Sequence, residues 1–390
     1  MKSDIPNIGK NIRFLRRARN WTLIDLAGKI GIREGPLGRI ELGKNAPSAQ
    51  VIYNLSRALN VSAEVLFADD VQRIELKTKD ADSTSNFIAI HPEPDKIPKR
   101  LLAATHDIVT AFHALEDICN VHKQAYLPLS VPFKPDYQGM ETLASSIRKY
   151  FGIYDGVVFD YFELFENFGL RVIIFQFPRD SKGLDSFSVY EPIYHNAFFF
   201  LNSKNNPERQ LFSLSLELGA LLISNQSRLQ KTDLFENQDK NQDKKQDKKT
   251  ESENLRPINA KRAAGQFAST FLMPETAVRT TVSQLGITLD GWSWDLLLRI
   301  KHRFGVSAEA FLYRLHELDL ISGRLKNRFK DRIKKLYDAS GLQEPDLTRR
   351  CLTPNGRFFD LLLIAENIED AKEEIIKIKQ LERSLKILRE

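Results

Sequence analysis

Apolar residues recur at helical spacing from the start of the chain. In IGKNIRFLRRARN, Ile8, Ile12 and Leu15 share one face while Arg13, Arg16, Arg17 and Arg19 fall largely elsewhere, the pattern of an amphipathic helix. Thr22 stands where an N-cap is wanted before LIDLAGKI, and Gly31 stands where that second helix must stop. A third helix is predicted from about Arg33 to Leu42, a fourth after Pro47 and Ser48 through Leu59, and a short fifth from Ser62. Beyond Phe67 the periodicity fades into a mixture of charges, Ser, Thr and Pro, which reads as a linker over 70–100. A long amphipathic helix follows from Pro98 to about Lys123. From Tyr137 the pattern gives two helices, the second ended by Gly169, then a β-rich strand from Leu170 to Phe177. After these come a strand around HNAFFFLN, a Pro-marked turn and a long helix through RQLFSLSLELGALLIS. The fold class is mainly α with an α+β central domain.

Two further stretches stand out by pattern. NQDKNQDKKQDKKTESEN, Asn237 to Asn254, has almost no apolar residue and cannot bury a core, so 226–257 reads as a disordered surface insertion. Near the end, Ile368, Ala371, Ile375, Ile378, Leu381, Leu385 and Leu388 recur at near-heptad spacing on a charged helix, which either packs on its own domain or mediates dimers.

Composition adds limits. The 390 residues exceed what one core usually serves, so two or three domains are expected. No apolar h-region opens the chain and no apolar run approaches the ~18 residues of a membrane span. A soluble, cytoplasmic protein without membrane contact is therefore expected. Cys119 and Cys351 lie far apart without a C-x-x-C, which argues against a disulfide framework or a thiolate zinc site. His106 and His113 stand one heptad apart, with His122 beyond. Lacking an i, i+4 pair, they read as surface or packing histidines.

Charge changes the picture at one end. Met1 to Phe67 holds eleven Lys plus Arg against five Asp plus Glu, an excess equal to the whole chain's net charge of +6. A confined basic footprint suits phosphate binding, because neutralising phosphates releases condensed counterions. With LAGKIGI, RIELGKNAPS and LSRALNVSAEVLF, the segment 1–69 resembles the helix-turn-helix domain of the lambda-repressor and Cro type. The resemblance implies binding to double-stranded operator DNA as a homodimer, with Arg16, Arg17, Arg33, Glu34, Arg39 and Lys44 as the candidate contacts. The third helix departs from the family pattern: REGPLGRIE carries two interior glycines, each weakening a helix by ~1 kcal/mol relative to alanine. Glu34 can accept a hydrogen bond from cytosine N4 but repels phosphate.

From Tyr137 to Ser322 the order of HNAFFFLN, RQLFSLSLELGALLI, AKRAAGQFASTFLMPETAV and LLLRIKHRFGVSAEAFLYRLHELDLIS resembles the ImmA/IrrE family of zincin-like metallopeptidases. Such a site needs two histidines at i and i+4 around a general-base glutamate. Laid on LELGA, the family's motif keeps its base as Glu217 but places its histidines at Leu216 and Ala220. The third ligand falls on Ala263. The resemblance thus implies a degenerate domain over 101–322 that needs no metal or other cofactor, followed by a C-terminal helical region over 323–390. Glu217 is expected to find an ordinary partner, such as an arginine or a helix cap.

The function so implied is that of a transcriptional regulator with a non-catalytic sensor or partner-binding domain, an antitoxin-like or mobile-element repressor whose partner is an adjacent-gene toxin. Two alternatives remain at this point: an active zinc peptidase that cleaves a repressor, and an interaction module that no longer binds DNA.

Overall fold

The computed structural model describes residues 8–18, 21–59, 66–67, 87–121, 124–129, 131–192, 194–230, 258–340, 343–346 and 355–387. The NQDK tract, Arg19, His122, Cys351 and most of the expected fifth helix lie outside these residues.

Four helices, α1 (Ile8–Ala18), α2 (Leu23–Ile30), α3 (Glu34–Glu41) and α4 (Ala49–Leu59), close around Ile12, Leu15, Leu26, Leu37, Leu55 and Leu59, all fully buried. Thr22 and Asp25 form a reciprocal capping box at the start of α2: the Thr22 hydroxyl accepts from the Asp25 amide, and the Thr22 amide donates to the Asp25 carboxylate. Gly31 ends that helix in the left-handed region, at φ 73°. Local sequence signals therefore set both bounds of α2, and the apolar stripes set the packing.

Beyond the bundle, the described residues are built about one four-stranded sheet of order β1-β3-β4-β2. Strands β1 (Ile88–Ile90), β3 (Ser186–Glu191) and β4 (Asn196–Asn202) run antiparallel in turn, with Ile88 opposite Tyr190 and Ser188 opposite Phe199. Strand β2 (Arg171–Phe175) pairs parallel to β4, Arg171 opposite Phe198. Alternate residues feed two different cores. Val172, Ile174, Phe199 and Leu201 join the larger one, while Ile173, Phe175, Phe198 and Phe200 join the other. A sheet covered on both faces explains why its strands read as unbroken apolar runs.

The larger core is roofed by α6 (Tyr137–Tyr150), α7 (Tyr161–Asn167), α8 (Pro207–Gln230) and α9 (Ala260–Leu272). It continues through α10 (Glu275–Gln284), α11 (Trp294–Phe304), α12 (Ala308–Glu317) and α13 (Gly323–Ser340). The other face is covered by α5 (Lys99–Ile118), α14 (Gly356–Ala365) and α15 (Lys372–Leu385).

Several expected boundaries change accordingly. The linker expected over 70–100 is ordered structure from Phe87 onward, because Ile88–Ile90 completes the sheet. The long helix ends at Ile118 rather than Lys123. Helix α8 runs to Gln230, into the stretch expected to be an insertion, and the Gln226 side chain donates to the Phe133 carbonyl. The C-terminal helices are no separate region, and the heptad-like residues from Ile368 to Leu385 pack on their own chain, while Leu388 lies outside the described residues. Ile375 and Ile378 are buried under the sheet, with Leu381 and Leu385 packed against them. Asn355 ties that layer down, its side-chain amide exchanging two hydrogen bonds with the Ile174 backbone at 2.7 and 3.0 Å and covering the exposed edge of β2.

A buried polar network crosses this second layer. Arg171, fully buried on β2, donates to Glu116 of α5, to Asn196 and to the Gly169 carbonyl. Glu116 also meets His113 Nδ1 at 3.1 Å, and His113 Nε2 meets Glu191 at 2.9 Å. His113 is thus a packing histidine held between two carboxylates.

One carboxyl between α7 and α14 makes stability depend on pH. Glu166 on α7 accepts from the Arg357 amide at 3.1 Å, yet burial pushes it up to about 7 from an ordinary 4.5. A raised acid pKa means the folded state holds the proton more tightly. The contribution is complete below pH 4.5 and is lost as pH rises to about 7, at a cost of about 3 kcal/mol. Glu166→Gln is expected to flatten denaturant-midpoint curves between pH 5 and 7. An unchanged slope would show that Glu166 titrates as an ordinary surface acid.

Candidate nucleic-acid interface and candidate peptidase-like site

The bundle aims α3 outward by two contacts at its C-terminal end. Gly9 of α1 lies so close to α3 that a Cβ there would stand 2.1 Å from the Ile40 carbonyl oxygen, so the approach requires glycine. Arg16 grips Glu41 through Nε at 2.6 Å and through a second guanidinium nitrogen at 2.8 Å, and also donates to the Trp21 carbonyl. Arg16 is therefore not free to meet DNA: it is buried in an internal ion pair, and its expected role as a contact is corrected. Arg17, Arg33, Glu34, Arg39 and Lys44 are all exposed, Arg33 and Glu34 at the start of α3, Arg39 in its last turn and Lys44 in the loop beyond. Arg33 stands at the N-cap position of α3 with its side chain exposed. Gly35 leaves the exposed side of α3 low, whereas Gly38 faces Leu23 of α2.

The neighbouring arginines should separate by experiment. Arg16→Ala leaves Glu41 buried without its cation and is expected to cost about 2–4 kcal/mol in bundle stability. Arg17→Ala is expected to leave stability within about 0.5 kcal/mol. Chemical denaturation followed through Trp21 tests this, and equal losses would remove the distinction between a structural and a solvent-facing arginine.

In the second site, α8 carries Leu216, Glu217 and Ala220, and α9 carries Ala263. Ala220 and Ala263 are buried, and Leu216 is half-buried against the larger core. The two helices pack closely at Gly219, where a Cβ would lie 2.7 Å from the Phe267 ring, one turn beyond Ala263. Glu217 is wholly buried. One carboxylate oxygen accepts from the Ser186 hydroxyl of β3 at 2.8 Å and lies 2.8 Å from His91 Nδ1, while the other has no hydrogen-bond partner among the described residues. Burial raises the Glu217 pKa, and the contacts with His91 and Ser186 oppose that rise without cancelling it.

The carboxylate thus sits between the imidazole and the hydroxyl, touching both. In a nucleophilic triad the imidazole would stand in the middle, so Ser186 is not activated here. Nor do the residues fit a zinc ion, since Leu216, Ala220 and Ala263 offer no lone pair. Among the described residues no three His, Cys, Asp or Glu side chains gather as a metal site.

His91 replaces the arginine or cap expected as the partner of Glu217. It follows β1 directly, in the stretch read as a linker, and Glu93 two residues on reaches Lys261 at the start of α9, 2.8 Å away. The sequence did hold one signal, the short apolar run FIAI immediately before His91.

These two sites define a DNA-binding bundle followed by a peptidase-like domain. Comparison with known proteins agrees on both. The helix-turn-helix family model matches residues 12–66, and the IrrE N-terminal-like domain model of the M78 peptidases matches residues 165–316. Over 58 residues the chain is 38% identical to the uncharacterized HTH-type transcriptional regulator YazB of Bacillus subtilis (strain 168), a match covering 15% of this chain and 84% of that protein. The chain belongs to the helix-turn-helix family of DNA-binding regulators and carries an IrrE-like, peptidase-like domain. Among the described residues no helix is long and apolar enough to cross a membrane.

Proposed function

We propose that this chain is a transcriptional repressor whose peptidase-like domain is non-catalytic and receives a protein partner, in the manner of an antitoxin that also represses its own operon. The observation that carries the reading is the state of Glu217. A general base needs a metal-bound water to activate, whereas this carboxyl is sealed from solvent, engaged by His91 and Ser186, and flanked in sequence by apolar residues where the resemblance puts ligands. An active zinc peptidase would need donors that the described residues do not assemble. Loss of DNA binding is disfavoured by the exposed cations around α3 and the match to the helix-turn-helix family.

Homodimerisation follows from the half-site geometry usual for this type of bundle. The partner is proposed to be the product of an adjacent gene. Glu217→Gln is the variant that probes whether that partner senses the relic site, since it keeps the shape and removes the charge.

The direct test of the non-catalytic reading is metal analysis of purified full-length protein, with a search for chelator-sensitive cleavage of the partner. The expected result is well under one zinc per chain and no cleavage. About one zinc per chain, lost together with a cleavage activity on chelation, would overturn the reading.

A further inference from the structure

Helix α13 is an unusual surface for a domain with no catalytic chemistry. Its apolar stripe, Leu325, Phe329 and Ile333, is buried in the larger core. Along the remaining circumference it carries Arg324, Lys326, Arg328, Lys330, Arg332, Lys334 and Lys335 against only Asp331 and Asp338. All seven cations are exposed except the half-buried Lys326, and among the described residues none enters an ion pair. Summed over everything after Phe67 the charge is zero, which hides this local excess.

The arrangement is ordered. Arg324, Arg328 and Arg332 recur every four residues on one flank of the buried stripe, and Lys326, Lys330 and Lys334 recur likewise on the other. Aromatic faces brace both rows. Arg332 lies 4.3 Å from the centroid of the Trp294 ring of α11, and Lys326 and Lys330 lie 5.7 and 5.8 Å from that of Tyr313 on α12. The charged span from Arg324 to Lys335 is about 16 Å long at the helical rise. Its two flanks stand about 10 Å apart, comparable with a major groove of about 12 Å.

We propose that α13 is a second DNA contact, which binds phosphates on both sides of a groove without reading sequence and adds to the hold of the helix-turn-helix bundle. This inference rests on the chain being a DNA-binding regulator and goes beyond it, because no part of the bundle is involved. The anion is assigned as nucleic acid rather than lipid because the apolar stripe that would enter a membrane surface is already buried in the protein core. An acidic protein groove would call for cations on one complementary face, whereas here they flank the helix on both sides. Covalent connection to a DNA-binding bundle keeps any duplex already held by that bundle at high local concentration near α13.

The test uses the full chain in three forms: unaltered, with Arg324→Gln, Arg328→Gln, Lys334→Gln and Lys335→Gln together, and with Arg33→Gln and Arg39→Gln together. The four α13 positions are exposed and leave Leu325, Phe329 and Ile333 intact, and melting followed by circular dichroism checks that each variant folds. Fluorescence anisotropy is measured on a random 30-base-pair duplex and on the chain's own promoter fragment, from 50 to 200 mM salt.

The α13 variant is expected to bind random duplex at least tenfold more weakly at 100 mM salt. Its log-affinity against log-salt slope should be shallower by about three to four units, with its preference for the promoter kept. Because phosphate contacts at α3 also fix the bundle's register on an operator, the Arg33/Arg39 variant should instead weaken promoter binding more than random-duplex binding. An α13 variant with unchanged affinity and slope overturns the inference while leaving the bundle's role standing. An unaltered chain that binds neither duplex overturns both. Vesicles containing phosphatidylserine serve as the remaining probe: if the α13 variant loses vesicle binding but not DNA binding, the helix serves a lipid surface and the proposal fails.

Discussion

Charge reversal at Arg33 and Arg39 together is expected to weaken promoter binding by roughly a hundredfold near 100 mM salt, with the loss growing as salt is lowered. Both side chains are exposed at the ends of the helix that the bundle projects, Arg33 as the residue before its first turn and Arg39 in its last. Removing a phosphate contact reduces the salt slope by about one, and placing a carboxylate against the phosphate adds repulsion to that loss. Among the described residues neither arginine enters an ion pair, so the fold should tolerate the change and denaturation midpoints should move little. The contrast with Arg16 sharpens the prediction. Arg16 is spent on Glu41, and its removal should act through stability. If the double reversal shifts the promoter fragment as well as the unaltered chain does, α3 is not the DNA-facing helix.

How much of this could be read from residues depends on the range of the interactions involved. The bundle was legible because its signals are local: the Thr22 cap, the Gly31 stop and the i, i+4 stripes each act within one or two turns. The partner of Arg16 was not, since Glu41 is 25 positions away and nothing at Arg16 distinguishes it from Arg17 except the face it falls on. The same holds for the site around Glu217. Leu216, Ala220 and Ala263 could be placed by resemblance, but the residue engaging Glu217 lies 126 positions upstream in a stretch of low periodicity. A three-residue strand carries too few alternations to announce itself, and β1 is visible only once β3 is there to pair with it. The heptad-like C-terminus left self-packing and dimerisation open because an apolar stripe specifies that it will be covered, not by what. The structure covers it with the second face of the sheet. Charge read as a sum misled in its own way: balance over a long segment is compatible with a helix as one-sided as α13.

The largest expected stability effect lies in the second layer, at Glu116. Glu116→Ala leaves the fully buried Arg171 without its carboxylate, and breaking such a pair from one side costs about 3–5 kcal/mol, a large part of the 5–15 kcal/mol that holds a typical domain. Asn196 and the Gly169 carbonyl still accept from the guanidinium but carry no full charge to balance it. Burial alone would raise the Glu116 pKa, and the charge of Arg171 together with His113 more than reverses this, holding it below 4.5. Its contribution is therefore present above pH 4.5 and lost as acid protonates it. Burial alone would lower His113, and its contacts with Glu116 and Glu191 raise it above 6.5 instead, so its share is complete below pH 6.5 and fades as pH rises through the raised value. The alanine variant should lose most of both dependences along with its stability. Because a hydrophobic replacement of both partners removes the unpaired charge as well as the pair, Glu116→Leu combined with Arg171→Met is expected to recover most of the loss, to within about 1–2 kcal/mol of the unaltered chain. Urea denaturation of the single and double variants across pH 4 to 8 decides the matter. If Glu116→Ala proves mild, or if the double variant is no better than the single, the network holds the sheet by packing alone and Arg171 is not a charge in need of a partner.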